Sequence, residues 1–129
     1  MSELKIRKVK LYFHAYLPVI VWAIFIFFLS AQEALPGFKQ SIFDFIFKKS
    51  AHMFVYAVLY SLLFRARLKT TDKNINKKTY FFPILISFLY AASDELHQST
   101  VAGRHPAIRD VGFDMLGVTT VLLYQLKFI

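Results

Sequence analysis

Cysteine is absent from this 129-residue chain. Disulfides, thiol catalysis and cysteine-ligated metal centres are excluded together, and the redox compartment is left open. Glycine is scarce, at four residues against 15 phenylalanines. With 57% hydrophobic and 18% aromatic residues, a water-soluble globule of this length would have no interior large enough for its apolar side chains. Lipid is the natural solvent for such a composition. Acidic residues are few as well: eight, against 16 Lys and Arg, for a formal net charge of +8. A nucleic-acid footprint would gather those cations on one soluble face. Here they fall between long apolar runs, so no nucleic-acid partner is expected. The length is that of one domain, taken as residues 1–129, with no internal repeat and no low-complexity segment.

Residues 11–32 carry no Asp, Glu, Lys or Arg over 22 positions. At about 1.5 Å per residue this exceeds the roughly 30 Å hydrocarbon core of a bilayer. Pro18 lies within the run and is tolerated in a membrane helix, where neighbours satisfy the freed backbone. A secretory signal is the rival reading, because Lys5, Arg7, Lys8 and Lys10 resemble a positive leader; the run is long and lacks a small-residue cleavage site, so a retained helix is expected. Charge-free stretches at 50–64 and 79–93 predict helices over 50–65 and 79–97. Each stretch covers only about 22 Å, so the flanking polar residues must sit at or just inside the membrane boundary. The last stretch, 115–126, has 12 residues and spans only if its helix starts near Pro106, giving 107–126. Asp110 and Asp114 then lie within the helix, and an ionisable residue at that depth is a functional hypothesis by default.

The expected fold is therefore all-α, a four-helix transmembrane bundle. Between its first two helices, Pro36-Gly37 ends the first, and residues 38–49 segregate Gln40, Ser41, Asp44 and Lys48 from Phe38, Ile42, Phe45 and Ile46. A short interfacial helix fits that pattern, as does an irregular loop pinned by phenylalanines.

Orientation follows from the cations. Four precede the first helix, six (Arg65, Arg67, Lys69, Lys73, Lys77 and Lys78) lie between the second and third, and Lys127 ends the fourth, making eleven of 16. This bias places both termini and the middle loop in the cytoplasm. The unusual polar residues then fall on the outward side: Ser30, Gln32 and Glu33; Lys49 and His52; Asp94, Glu95, His97 and Gln98; Arg109, Asp110 and Asp114. Spacing groups them further. Lys49, His52 and Tyr56 stand at i, i+3 and i+7, Asp94, His97 and Gln98 at i, i+3 and i+4, and Asp110, Asp114 and Gly117 at i, i+4 and i+7, so each trio shares a helix face. Gly117 permits close approach of a neighbouring helix. Asp94 and Glu95 near a helix carboxyl end and Lys49 near an amino end oppose the helix dipole. Pairing of these carboxylates with Lys49, Arg104 or Arg109 is expected to compensate.

Chemically, Asp94, Glu95 and His97 are candidate acid–base groups, and Lys49, His52, Tyr56, Gln98, Arg104, Asp110 and Asp114 candidate binding residues. Several have a plainer reading, Asp114 least of all. Asp110 is a favoured first-turn residue, His52 an interfacial histidine, Tyr56 part of an aromatic belt, Trp22 packing or lipid contact, and Lys49 with Asp94 a structural salt bridge. The set mixes nitrogen and oxygen ligands, yet no recognised metal-ligand spacing and no Ser-His-Asp order stands out, so neither metal nor cofactor is expected.

Four blocks carry a resemblance: Trp22 with Ser30-Ala31-Gln32; Lys49-Ser50-Ala51-His52 with Tyr56; residues 90–98 (YAASDELHQ); and Gly103-Arg104 with Asp110, Asp114 and Gly117. Together they resemble the VanZ-like family of small bacterial membrane proteins, named for a member associated with teicoplanin resistance. The chain departs from the family pattern at Met53, Val55 and Ala102, where Phe, an acidic residue and Pro are usual. The resemblance implies a multi-pass protein of the bacterial plasma membrane with a role at the cell envelope, altering how glycopeptide antibiotics reach their wall-precursor target. It implies no particular reaction. Three functions stay open: a binding or shielding protein, in contact with membrane lipid, for a cell-wall precursor or lipid-linked ligand; a membrane enzyme using Asp/Glu/His acid–base chemistry; and a small ion-conducting subunit, which would require an oligomer.

Overall fold

The computed structural model describes residues 2–30, 42–71, 74–100 and 108–129. They form four helices, α1 (Glu3–Ser30), α2 (Ile42–Thr70), α3 (Lys77–Gln98) and α4 (Ile108–Gln125), with no strand among the described residues. The all-α expectation holds. The boundaries differ from the charge-free runs for local reasons. α1 takes in Lys5, Arg7, Lys8 and Lys10, since Lys and Arg are good helix formers whether or not lipid surrounds them. α2 is one helix of 29 residues. The separate interfacial helix expected over 38–49 is replaced, in its described part, by the first turns of α2. No glycine or proline occurs between residues 42 and 70 to stop the helix. Pro36, Gly37 and the start of that segment lie outside the described residues. α3 begins at a capping box, in which the Asn76 side chain accepts from the Thr79 N–H and the Thr79 hydroxyl accepts from the Asn76 N–H.

α1 is long and apolar enough to cross a membrane, and among the described residues it alone meets that test of length and composition. The other helices carry charge within their length, such as Lys49 and Arg65 in α2, Asp94 and Glu95 in α3, and Asp110 and Asp114 in α4. The outside of the bundle is nevertheless strongly apolar. Phe13, Val21, Phe28, Phe54, Phe81 and Leu89 are all exposed, a surface suited to hydrocarbon rather than to water.

Side-chain bonds fix the helix directions. Trp22 Nε1–H donates to the Val55 carbonyl at 2.8 Å, and the Tyr12 hydroxyl donates to the Thr70 carbonyl at 3.4 Å, so α1 runs antiparallel to α2. Tyr90 donates to the Ala23 carbonyl and Ser30 to Asp94, so α1 and α3 are parallel. Lys49 with Asp110 and Tyr60 with Gln125 make α2 and α4 parallel. α2 packs on all three other helices, whereas α1 and α4 do not touch among the described residues. This up-down alternation brings Ser30, the first turns of α2, the last turn of α3 and the first turns of α4 to one end.

The core lies along α2, where Tyr56, Leu59, Tyr60, Leu63 and Ala66 meet Ala15, Val19 and Ile26 of α1, Ala91 of α3 and Val118 of α4. Its two tyrosines are fully buried, and both hydroxyls are satisfied: Tyr60 donates to Gln125 Oε1 at 2.8 Å, and Tyr56 donates to Asp94. Trp22 is more than packing, because its bond to Val55 ties α1 to the turn of α2 that carries Tyr56. Trp22→Phe keeps most of the ring contact and removes only the bond. A loss of about 1 kcal/mol in a detergent unfolding titration is expected.

Candidate functional site at the polar end of the bundle

The site is built on the face of α2 that carries Lys49, His52 and Tyr56. Each of the three reaches a carboxylate on another helix. Lys49 donates to Asp110 of α4. His52 Nδ1 lies 2.8 Å from Asp114 Oδ1, also of α4. A carboxylate only accepts, which puts the ring proton on Nδ1 and leaves Nε2 for a further partner. Tyr56 donates to Asp94 Oδ2 of α3 at 3.3 Å, while the Ser30 hydroxyl of α1 donates to Asp94 Oδ1. Four helices are thus tied at one end by three carboxylates.

The ladder between α2 and α4 depends on Gly117. A Cβ built there would fall onto the Met53 carbonyl oxygen, 2.8 Å from its carbonyl carbon and 2.9 Å from its Cα. Only glycine lets the two backbones come this close, and the close approach brings Asp114, one turn earlier, against His52.

All of these carboxylates are buried. Asp114 is 0% exposed, and its Oδ2 has no hydrogen-bond partner among the described residues. Such an oxygen is costly to bury and marks a site for a proton, a water or a ligand group. Asp94, Glu95, Asp110 and Gln98 are buried too. Lys49 is further held between two rings, 5.6 Å from the centroid of Phe45 and 5.4 Å from that of Phe113. Arg109 lies over the same Phe45 ring, 5.9 Å from its centroid.

Two hollows adjoin the cluster. A small cavity of about 40 Å³ between α1, α2 and α3 has apolar walls, including Ile26, Leu29 and Val55, and is bordered by His52, Tyr56 and Asp94. A groove of about 510 Å³ between α3 and α4 is lined by Phe88, Ala92, Val111, Gly112 and Met115, with Glu95 and Ile108 towards its polar end.

The structure therefore regroups the candidates. Lys49, His52, Tyr56, Asp94, Asp110 and Asp114 come together. The proposed acid–base trio does not form one centre. Asp94 faces α1 and α2, Glu95 lines the groove against α4, and His97 stacks on Phe27 of α1, with ring centroids 4.5 Å apart and an interplanar angle of 17°. The partner of Lys49 is Asp110 rather than Asp94. Arg104, Gln32 and Glu33 lie outside the described residues. The sequence places Ser30 at this end, without its partner, whereas it does not single out Phe27 at all. One phenylalanine among many in an apolar run gives no signal until the parallel packing of α1 and α3 is known.

A family model described as VanZ/LLP1 matches residues 13–127, which takes in most of α1 and the whole of α2, α3 and α4. No curated protein and no solved structure gives a match. With a helix able to cross a bilayer and a family match over nearly the whole chain, this is a membrane protein that belongs to the VanZ/LLP1 family.

Proposed function

We propose that the chain is a single-domain, four-span protein of the bacterial plasma membrane that binds a cell-envelope or lipid-linked ligand at its outward polar end. Both termini and the α2–α3 connection lie in the cytoplasm in this reading. Its support is the bias of Lys and Arg to that end and the apolar outer surface. One observation carries the functional part: four buried carboxylates are gathered at one end of a bundle of 129 residues. Well-packed apolar residues would hold such helices together at least as well as buried charge pairs. Carboxylates retained at this depth mark a site.

The groove beside Glu95, at about 510 Å³, falls within the roughly 300–1,000 Å³ of small-molecule sites. Its apolar walls suit the hydrocarbon part of a ligand, and Lys49 and Arg109 at the same end supply cations for an anionic part. Glycopeptide susceptibility is the phenotype to examine, by analogy with the founding member of the family. A teicoplanin-sensitive bacterium expressing the wild type is expected to be protected, and Asp94→Asn at the same membrane level is expected to remove most of that protection. Equal protection by both proteins would show that the polar end is not the functional one.

A second reading, acid–base catalysis, is favoured by the His52–Asp114 pair. Asp114 orients the imidazole through Nδ1, and His52 and Asp94 border the same small cavity, as a base and an acid would. Ligand binding without turnover in purified protein separates the two readings.

A further inference from the structure

At the opposite end of the bundle, the last turns of α2 and the start of α3 enclose another cavity, of about 290 Å³, lined by Arg67, Thr71, Asn74, Asn76, Lys78 and Thr79. Its walls are polar where those of the α3–α4 groove are apolar. Arg67 is fixed in place, with its guanidinium over the ring of Phe82, 5.0 Å from the centroid. Its Nε is buried and has no hydrogen-bond partner among the described residues, although a guanidinium N–H removed from water without an acceptor is costly.

Among the described residues, the charged side chains that line it, Arg67 and Lys78, are both cationic. α3 opens with Lys77 and Lys78 and has no acidic residue in its first turn, although the positive end of a helix dipole favours anions there. Among the described residues no carboxylate pairs with Arg67, Lys77 or Lys78. The neutral groups can add donors to these cations. The Asn76 amide oxygen is occupied by the Thr79 N–H, which leaves its amide NH₂ available, as is that of Asn74. A cavity lined by cations and N–H donors, with an unsatisfied guanidinium nitrogen at its wall, suits an anion with several acceptor oxygens.

We propose that this cavity binds a phosphate group, supplied by the phosphodiester of an anionic phospholipid where the bundle meets the membrane surface. A tetrahedral phosphate offers separate oxygens to the fork of Arg67, the ammonium of Lys78 and the asparagine amides. Basic pockets between membrane helices are suited to such headgroups. The site is remote from the outward polar cluster and stands or falls independently of it.

The test uses the full chain purified in detergent, with phosphatidylglycerol as the anionic probe, phosphatidylcholine as the zwitterionic control and inorganic phosphate against chloride at matched ionic strength. Lipid retention is read by native mass spectrometry and affinity by the shift of thermal unfolding with lipid concentration. Phosphatidylglycerol is expected to be retained over phosphatidylcholine. Arg67→Gln should weaken it about tenfold and Lys78→Gln about fivefold. Lys69→Gln removes the same charge from an exposed residue that does not line the cavity and should weaken it less than about twofold. Should Arg67→Gln not fold, Lys78→Gln against Lys69→Gln carries the comparison. Stabilisation by inorganic phosphate with no preference for phosphatidylglycerol would uphold the phosphate site and assign it to a soluble phosphate. Equal weakening by all three variants, or binding of neither probe, would overturn it.

Discussion

Gly117→Ala is expected to cost about 3 kcal/mol of stability or more, an unusual penalty for adding one methyl group to a helix. Alanine is intrinsically the better helix former by about 1 kcal/mol, so propensity alone predicts the opposite sign. The reversal comes from the backbone of α2. The new Cβ meets the Met53 carbonyl group, which is part of the helix and has no rotamer by which to move aside. α4 must shift away, and the contacts of Asp110 with Lys49 and of Asp114 with His52 go with it. Gly112 supplies the control within the same helix, since a Cβ there meets nothing within 4 Å. Gly112→Ala should be neutral or stabilising by up to about 1 kcal/mol. Unfolding both variants by detergent titration checks the pair. Equal effects at the two positions would mean that α2 and α4 are not in close contact at Met53.

His52→Leu is the second large effect. It leaves the Asp114 carboxylate, 0% exposed and already lacking a partner for Oδ2 among the described residues, without its bond to His52. Removing one member of a buried pair typically costs about 3–5 kcal/mol, most of it the cost of the abandoned charge. The double variant His52→Leu/Asp114→Leu removes both members and should recover much of the loss, giving a coupling of more than about 1 kcal/mol in a double-mutant cycle. Additive losses would show that the two side chains do not interact. The same pair bears on function. If the pair only holds helices together, the double variant keeps the antibiotic phenotype along with its stability; if it belongs to the site, stability returns and the phenotype does not.

Much of this arrangement was legible in the sequence, and the gaps have physical causes. The apolar runs located the helices, because length and charge are local properties. The spacing of Lys49, His52 and Tyr56, and of Asp110, Asp114 and Gly117, identified the two faces that meet, because a helix face is also a local property. Pairing is not local. Whether Lys49 meets Asp94 or Asp110 depends on the register of α2 against α4, which is set by the contact at Gly117. Asp94 and Glu95 are adjacent in sequence but about 100° apart around a helix, so the motif that holds them together in the sequence sends them to different faces of α3. The continuous α2 was hidden for another reason. A polar arc looks the same whether it lies on a membrane surface or at the end of a longer helix, and only the absence of a breaker between residues 42 and 70 distinguishes the two.

The membrane arrangement underlies everything proposed here, and the cysteine-free chain makes it directly measurable. Single variants Ser99→Cys, at the carboxyl end of α3, and Asn74→Cys, before its start, place a thiol at exposed positions on opposite ends of the bundle. A membrane-impermeant maleimide applied to intact cells should label Ser99→Cys at once and Asn74→Cys only after lysis. Labelling of Asn74→Cys in intact cells with Ser99→Cys protected, or equal labelling of both, would contradict a polar end that faces outward across the membrane.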